Sequence, residues 1–261
     1  MGELTLTARE LLFAGAQMGA KTFFGLPDPF YGMTLEEIHR EIGNMQGSLE
    51  KKGYAEVGFD DSFALKPEVA AMVEVCAKCQ RYLLVRLTPP AKKAQLLLVY
   101  ANESGLVAVD AKNEELQLIW IEAEAVAGKV LAQLQPVESG GGEGSVVVVK
   151  QEDLAQAQSL AIDEPEKAKE LLGGCGCPAE TAALLVQGFR HEAGRYMFYR
   201  SDFEERTLTE CLLIQGECGA VCMTLENADE NQWKAEFLPG GADEETLREL
   251  CTLKGAGHEV L

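Results

Sequence analysis

Residues 67–134 decide the fold. They read PEVAAMVEVCAKC (67–79), RYLLVRL (81–87), QLLLVYA (95–101), GLVAVDA (105–111), LQLIWIE (116–122) and AEAVAGKVLAQL (123–134). The first and last stretches have helical spacing, and the four between them read as strands. Pro67 sits where proline is favoured, in the first turn of a helix. A second stretch repeats the order with little identity: PAETAALLVQGF (178–189), GRYMFYRSDF (194–203), TLTECLLIQ (207–215), AVCMTLENA (220–228), WKAEFLPG (233–240) and DEETLRELCTL (243–253).

The strand patterns set the layers. RYLLVRL and LQLIWIE alternate, whereas QLLLVYA is nearly all apolar, as a central strand covered on both sides should be. Short turns at Asn102–Gly105 and Asn113–Glu115 require antiparallel neighbours, because a parallel pairing needs a crossover of about a dozen residues. The reading is therefore an α+β fold: a central antiparallel sheet with helices packed on it, in two quasi-twofold halves, each helix–four strands–helix. The halves are 1–134 and 145–261. QPVESGGGEG joins them as a Gly-rich linker at 135–144, and the whole is read as one compact unit that shares a continuous sheet.

Upstream of the first block, ELTLT is a short strand. Thr7 and then Thr34 each begin a helix, with Glu10 and Glu37 three residues on as capping-box partners. Between them KTFFGLP reads as a brief extended segment, and DPFYG as a turn. TLEEIHREIGNMQGSLEKKG places Leu35, Ile38, Ile42, Met45 and Leu49 on one stripe and closes at Gly53. YAEVGFDDSFAL reads as two short strands turning at Asp60 and Asp61. In the second half SVVVVK is a strand, followed by two helices.

The chain of 261 residues carries a net charge of -19. Residues 1–134 hold 13 Lys/Arg against 18 Asp/Glu (-5), and residues 135–261 hold 10 against 24 (-14). So acidic a surface repels phosphate backbones, which argues against nucleic acid as a partner. No run approaches the roughly 18 apolar residues of a membrane span. The start, MGELTLTARELL, lacks the basic residues and apolar core of a signal peptide, so a cytoplasmic protein without membrane contact is expected.

No catalytic frame stands out. The three histidines, His39, His191 and His258, have no acid–base partner by spacing, and GGGEG lacks the Lys-Ser/Thr of a phosphate loop. Cys76 and Cys79, three apart at a helix end, and Cys175 and Cys177, before a helix start, could pack as structural thiols. They could also form a four-thiolate zinc site or a redox pair, with the second pair better placed for a low-pKa thiolate. Cys218 and Cys222 add no ligand spacing. Four aromatics, Phe23, Phe24, Phe30 and Tyr31, crowd FFGLPDPFY. They either pack beneath the helix that starts at Thr34 or form an exposed patch that docks a partner.

The layout resembles the EspG family, cytosolic chaperones of ESX (type VII) secretion. The resemblance is carried by LTARELLFAGAQMGAKTFFGLP (6–27), GMTLEEIHREIGNMQGSLEKKGY (32–54), ALKPEVAAMVEVCAKCQRYLLVRL (64–87) and LQPVESGGGEGSVVVVKQEDLAQA (134–157), then GRYMFYR (194–200) and WKAEFLPGGADEETLRELC (233–251). The chain departs from the family in its many cysteines and its strongly acidic second half. The resemblance implies quasi-twofold halves around an antiparallel sheet, no enzymatic activity and no cofactor. It also implies a helical secretion substrate, here WXG- or LXG-like, as partner. Two other expectations stand beside it: the thiolate zinc or redox protein, and a homodimer paired through sheet edges.

Overall fold

The computed structural model describes residues 2–59, 62–88, 95–112, 115–132, 134, 145–216, 219–227 and 231–253. The linker 135–144, the turn residues 60–61 and 113–114, Cys218 and His258 lie outside them.

In chain order the first half contains β1 (Glu3–Thr7), α1 (Ala8–Ala16), α2 (Leu35–Lys51), the hairpin β2 (Ala55–Val57) and β3 (Phe63–Leu65), and α3 (Pro67–Ala77). Then come β4 (Arg81–Thr88), β5 (Gln95–Asn102), β6 (Gly105–Lys112), β7 (Glu115–Trp120) and α4 (Ala123–Leu131). The second half contains β8 (Ser145–Lys150), α5 (Gln151–Asp163), α6 (Pro165–Gly174) and α7 (Ala179–Arg190). It continues with β9 (Glu192–Asp202), β10 (Thr207–Gly216), β11 (Ala220–Asn227), β12 (Gln232–Leu238) and α8 (Glu244–Cys251). Both capping boxes form: Thr7 with Glu10, and Thr34 with Glu37.

Ten strands make one antiparallel sheet in the order β1-β7-β6-β5-β4-β9-β10-β11-β12-β8. The order is the same from either end if β1 is matched with β8 and β4 with β9. The quasi-twofold axis therefore runs between β4 and β9. These strands pair in register from Arg81–Asp202 to Thr88–Arg195. The repeated unit is larger than helix–four strands–helix: a strand from before each block, β1 or β8, closes its outer edge. Local periodicity shows those strands but not their partners, because Leu4 pairs with Leu118 and Val147 with Ala235 across long stretches of chain.

Each face of the sheet is covered differently. On one face α1, α2 and α3 bury Leu98 and Tyr100 of β5, Val107 and Val109 of β6 and Leu116 and Leu118 of β7. On the same face α5, α6 and α7 cover Ile214 of β10, Val221 and Met223 of β11 and Trp233, Ala235 and Phe237 of β12. On the opposite face α4 and α8 meet at the centre over Leu83 and Val85, Tyr196 and Phe198, and Leu213. Strand β5 is apolar throughout because it is buried on both sides, Leu97 and Val99 toward α4 and α8 and Leu98 and Tyr100 toward α3. In α7, Gly188 lets the helix lie against β11; a Cβ there would stand 2.5 Å from Val221.

Two local expectations need correction. KTFFGLP is not extended throughout but turns at Phe24 and Gly25, with Leu26 N–H bonding Phe23 O, whereas DPFYG turns as read, with Met33 N–H bonding Phe30 O. Gly25 and Gly32 adopt positive φ (79° and 81°), which bends the chain where an extended strand would carry it away. The stripe on α2 is also only partly buried. Met45 and Leu49 enter the core, while Leu35 is 75% exposed at the helix start.

A candidate partner-binding groove

The site follows from how the helices are divided. Three cover β5–β7 and three cover β10–β12 on the same face, so among the described residues the seam between β4 and β9 has no helix above it. Directly paired residues of antiparallel strands share a face. Leu84 pairs with Leu98 and Tyr199, and Arg86 with Leu96 and Met197. Tyr82, Leu84 and Arg86 of β4, with Met197, Tyr199 and Ser201 of β9, therefore floor an open strip. Leu84 and Met197 are half-buried and Arg86 is exposed. Between Gly25, Gln95, Leu96 and these side chains lies a groove of about 370 Å³.

The floor is apolar with one polar cluster. The Tyr199 phenol is pushed up by burial and by the adjacent, hydrogen-bonded Glu210, while Arg86 acts in the opposite direction. Glu210 pairs with Tyr199 across β9 and β10. A cation, a phenol and a carboxylate thus lie beside Leu84 and Met197.

One wall is the turn-rich segment that begins at Phe23. Gly25 presses its backbone onto the floor; a Cβ would meet Leu98 at 2.5 Å and Leu84 at 2.9 Å. The Tyr100 hydroxyl donates to the Phe24 carbonyl at 2.5 Å and ties the segment to β5. Phe24 stacks on Tyr82 with centroids 5.5 Å apart and packs on Phe203 at 4.5 Å; Tyr82 and Phe203 are 5.7 Å apart. Phe203 comes from the β9–β10 turn, which is fixed by Arg81 Nε bonding Asp202 at 2.5 Å and by Phe203 N–H bonding Gln80 O at 2.8 Å. The Arg81 bond also holds the Asp202 carboxyl below its ordinary range.

The four aromatics singled out from sequence therefore separate. Phe23 is a core residue, 6% exposed, with its ring edge-on to Tyr100. Phe30 is half-buried against the α1–α3 core. Phe24 is 44% exposed and Tyr31 90% exposed. Tyr82, Phe203, Leu84, Arg86, Met197 and Tyr199 were not singled out from sequence. The alternation of β4 hints at Tyr82, Leu84 and Arg86, but only the pairing of β4 with β9 joins them to the rest.

The cysteine pairs do not converge. Cys76 is buried in the α1–α3 core with Cys79 against it, whereas Cys177 is buried in the α5–α7 core with Cys175 against it. Burial pushes the Cys79 thiol up to about 11 and raises Cys76 further. Cys175, expected as the better thiolate, is raised by burial and by Asp153. The four-thiolate reading thus fails on position, and burial works against a thiolate at either pair. Among the described residues no group of three or more His, Cys, Asp or Glu is placed to hold a metal. Among the same residues no helix is long and apolar enough to cross a membrane.

No curated protein sequence matches the chain. A solved structure, the type VII secretion system chaperone EspG5 of Mycobacterium tuberculosis in complex with a PE25–PPE41 dimer, is similar in fold at a TM-score of 0.65. The likeness covers 97% of this chain and 98% of that one at 13% sequence identity. The model of the EspG family matches residues 7–246, from the end of β1 into α8 and so through both halves of the sheet. On that match the chain belongs to the EspG family, the chaperones of type VII secretion.

Proposed function

We propose that this chaperone works in the cytoplasm without catalysing a reaction, and that it holds the apolar end of a helical secretion substrate in the β4–β9 groove. The halves 1–134 and 145–261 act as one unit, because the groove floor takes one strand from each. Phe24 and Tyr31 are the contacts taken forward from the aromatic stretch. Phe23 and Phe30 support them from beneath.

The observation that carries the reading is the open half-apolar strip of Leu84 and Met197, bordered by the exposed Phe24 and Phe203 stacked on the half-buried Tyr82. A helix end is narrow enough to enter between the two helical layers, and its apolar side chains would cover that strip. The similar EspG5 structure holds a PE25–PPE41 dimer, which favours a helical substrate here, whether of that type or WXG/LXG-like. The charge of -19 keeps the loaded chaperone soluble.

The test is co-expression with helical substrates of both types encoded in the same genome, followed by affinity measurement with Met197→Glu. A charge in the apolar floor is expected to weaken binding at least about tenfold, the loss of roughly 1.4 kcal/mol, with the fold unchanged by circular dichroism. Full affinity in that variant would move the partner to another surface. A homodimer is a second reading. It rests on β8, a sheet edge whose Val146 and Val148 are 48% and 46% exposed, and a mass measurement in solution decides it.

A further inference from the structure

Three thiols meet on the face of the sheet opposite the groove: Cys211 of β10, Cys222 of β11 and Cys251 of α8, all in the core under α4 and α8. The register sets Cys211 opposite Thr224 and Cys222 opposite Leu213, so the two strand cysteines are diagonal neighbours on one face. Their sulfurs are 3.5 Å apart. Cys211 is 2% exposed and Cys222 9%, and Cys222 alone of the two lines a cleft of about 150 Å³ whose walls include Thr224, Lys234, Glu236, Thr246 and Glu249. One sulfur thus faces a cleft that small solutes can enter, and a second stands directly behind it. From this juxtaposition we infer that Cys222 and Cys211 form an oxidisable dithiol, with Cys222 taking the oxidant and Cys211 resolving it as an intrachain disulfide.

The local charges agree with that division. The hydrogen bond shared with Cys211, with help from Lys234, holds Cys222 down against burial, Glu236 and Glu249. The same bond and burial push Cys211 well up. Burial pushes Cys251 up to about 12, so it stays a thiol and does not compete. With hydrogen peroxide as oxidant, the Cys222 thiolate attacks one oxygen. An S–O bond forms, the O–O bond breaks, and the departing hydroxide takes a proton to become water. The Cys211 sulfur then attacks the Cys222 sulfur; the S–S bond forms as the S–O bond breaks, and the Cys211 proton leaves with that oxygen as a second water. Two thiols lose two electrons and two protons, and the peroxide is reduced. The sulfurs close from 3.5 Å to about 2.05 Å.

The test titrates the full-length chain with hydrogen peroxide, blocks remaining thiols in denaturant and maps the peptides by mass spectrometry. Cys79 and Cys175, which are more exposed, serve as internal comparators. The expected result is a Cys211–Cys222 cross-linked peptide forming first, with two of the eight cysteines lost to alkylation and both restored by dithiothreitol. In Cys211→Ala, Cys222 should instead stop as a sulfenic acid trapped by dimedone. Oxidation of Cys79 or Cys175 while Cys211 and Cys222 stay alkylatable overturns the inference, as does a bond from Cys222 to any other cysteine. The mapping of the unmutated chain decides this even where the variant folds poorly.

Discussion

The seam between β4 and β9 has two faces made from alternate residues of the same two strands. On one, Leu83, Val85, Tyr196 and Phe198 are buried under α4 and α8. On the other, Leu84, Arg86, Met197 and Tyr199 line an open groove. Backbone and pairing are shared, so the difference lies in what the helices cover. α4 and α8 follow the last strand of each block and fold back to the axis. The helices that precede each block sit over its outer strands and leave the axis bare. One face of the seam holds the two halves together, and the other is left open.

The comparison fails if mutations on the two faces have similar effects. The largest expected effect is on the sealed face. Phe198→Ala removes a ring that is 2% exposed and should cost about 4 kcal/mol in urea unfolding. If the loss is below about 1 kcal/mol, that face does not join the halves.

Next comes the ion pair that joins the first two helices of the first half. Glu10 accepts from Lys52 Nζ at 2.7 Å and from Ser48 Oγ at 2.6 Å, which locks α1 to α2. Glu10→Gln should cost about 2 kcal/mol, less than the 3–5 of a fully buried pair because Lys52 is 31% exposed. Burial raises the Glu10 carboxyl, but the bonds from Lys52, Ser48 and Thr7 outweigh it and hold the carboxyl below its ordinary 4.5. Its contribution is therefore full above about pH 4.5 and is lost as pH falls through the lower folded value. Unfolding measured from pH 6 down to 3 should steepen in the native chain relative to Glu10→Gln. Parallel curves would remove Glu10 from the account.

On the open face the order reverses. Phe24→Ala should cost about 1 kcal/mol of stability, the order of an aromatic pair, and weaken substrate binding severalfold. Tyr31→Ala, at a side chain 90% exposed, should leave the unfolding midpoint within about 0.5 kcal/mol. A change in affinity there without a change in stability would extend the partner surface along the turn-rich segment. No change in either would confine it to the groove.

Much of the fold was legible because its signals are local. Thr7 and Thr34 with their glutamates, Pro67 at a helix start, the Asn102–Gly105 turn and the apolar run of β5 each act within a few residues. The site was less legible because its parts come from three distant segments. Phe24, Tyr82 and Phe203 touch only after β4 has paired with β9 and the chain has turned at Gly25. The aromatic stretch contributes one wall of the groove, yet spacing alone could not tell the core Phe23 from the exposed Phe24. A positive-φ glycine and one hydroxyl bond to the Phe24 carbonyl separate them. Cys211 and Cys222 needed the hairpin register before they could be seen as neighbours.

The pairing of Arg81 with Asp202 at one end of the seam joins residues made far apart in time on the ribosome. Until β9 emerges, β4 has no neighbour on that side, and the first half ends in a bare strand beside unfinished packing. On the proposed function, capture therefore waits until β9 has been made. A product truncated before β9 lacks half of the seam, so the palindromic strand order makes the groove a property of both halves together.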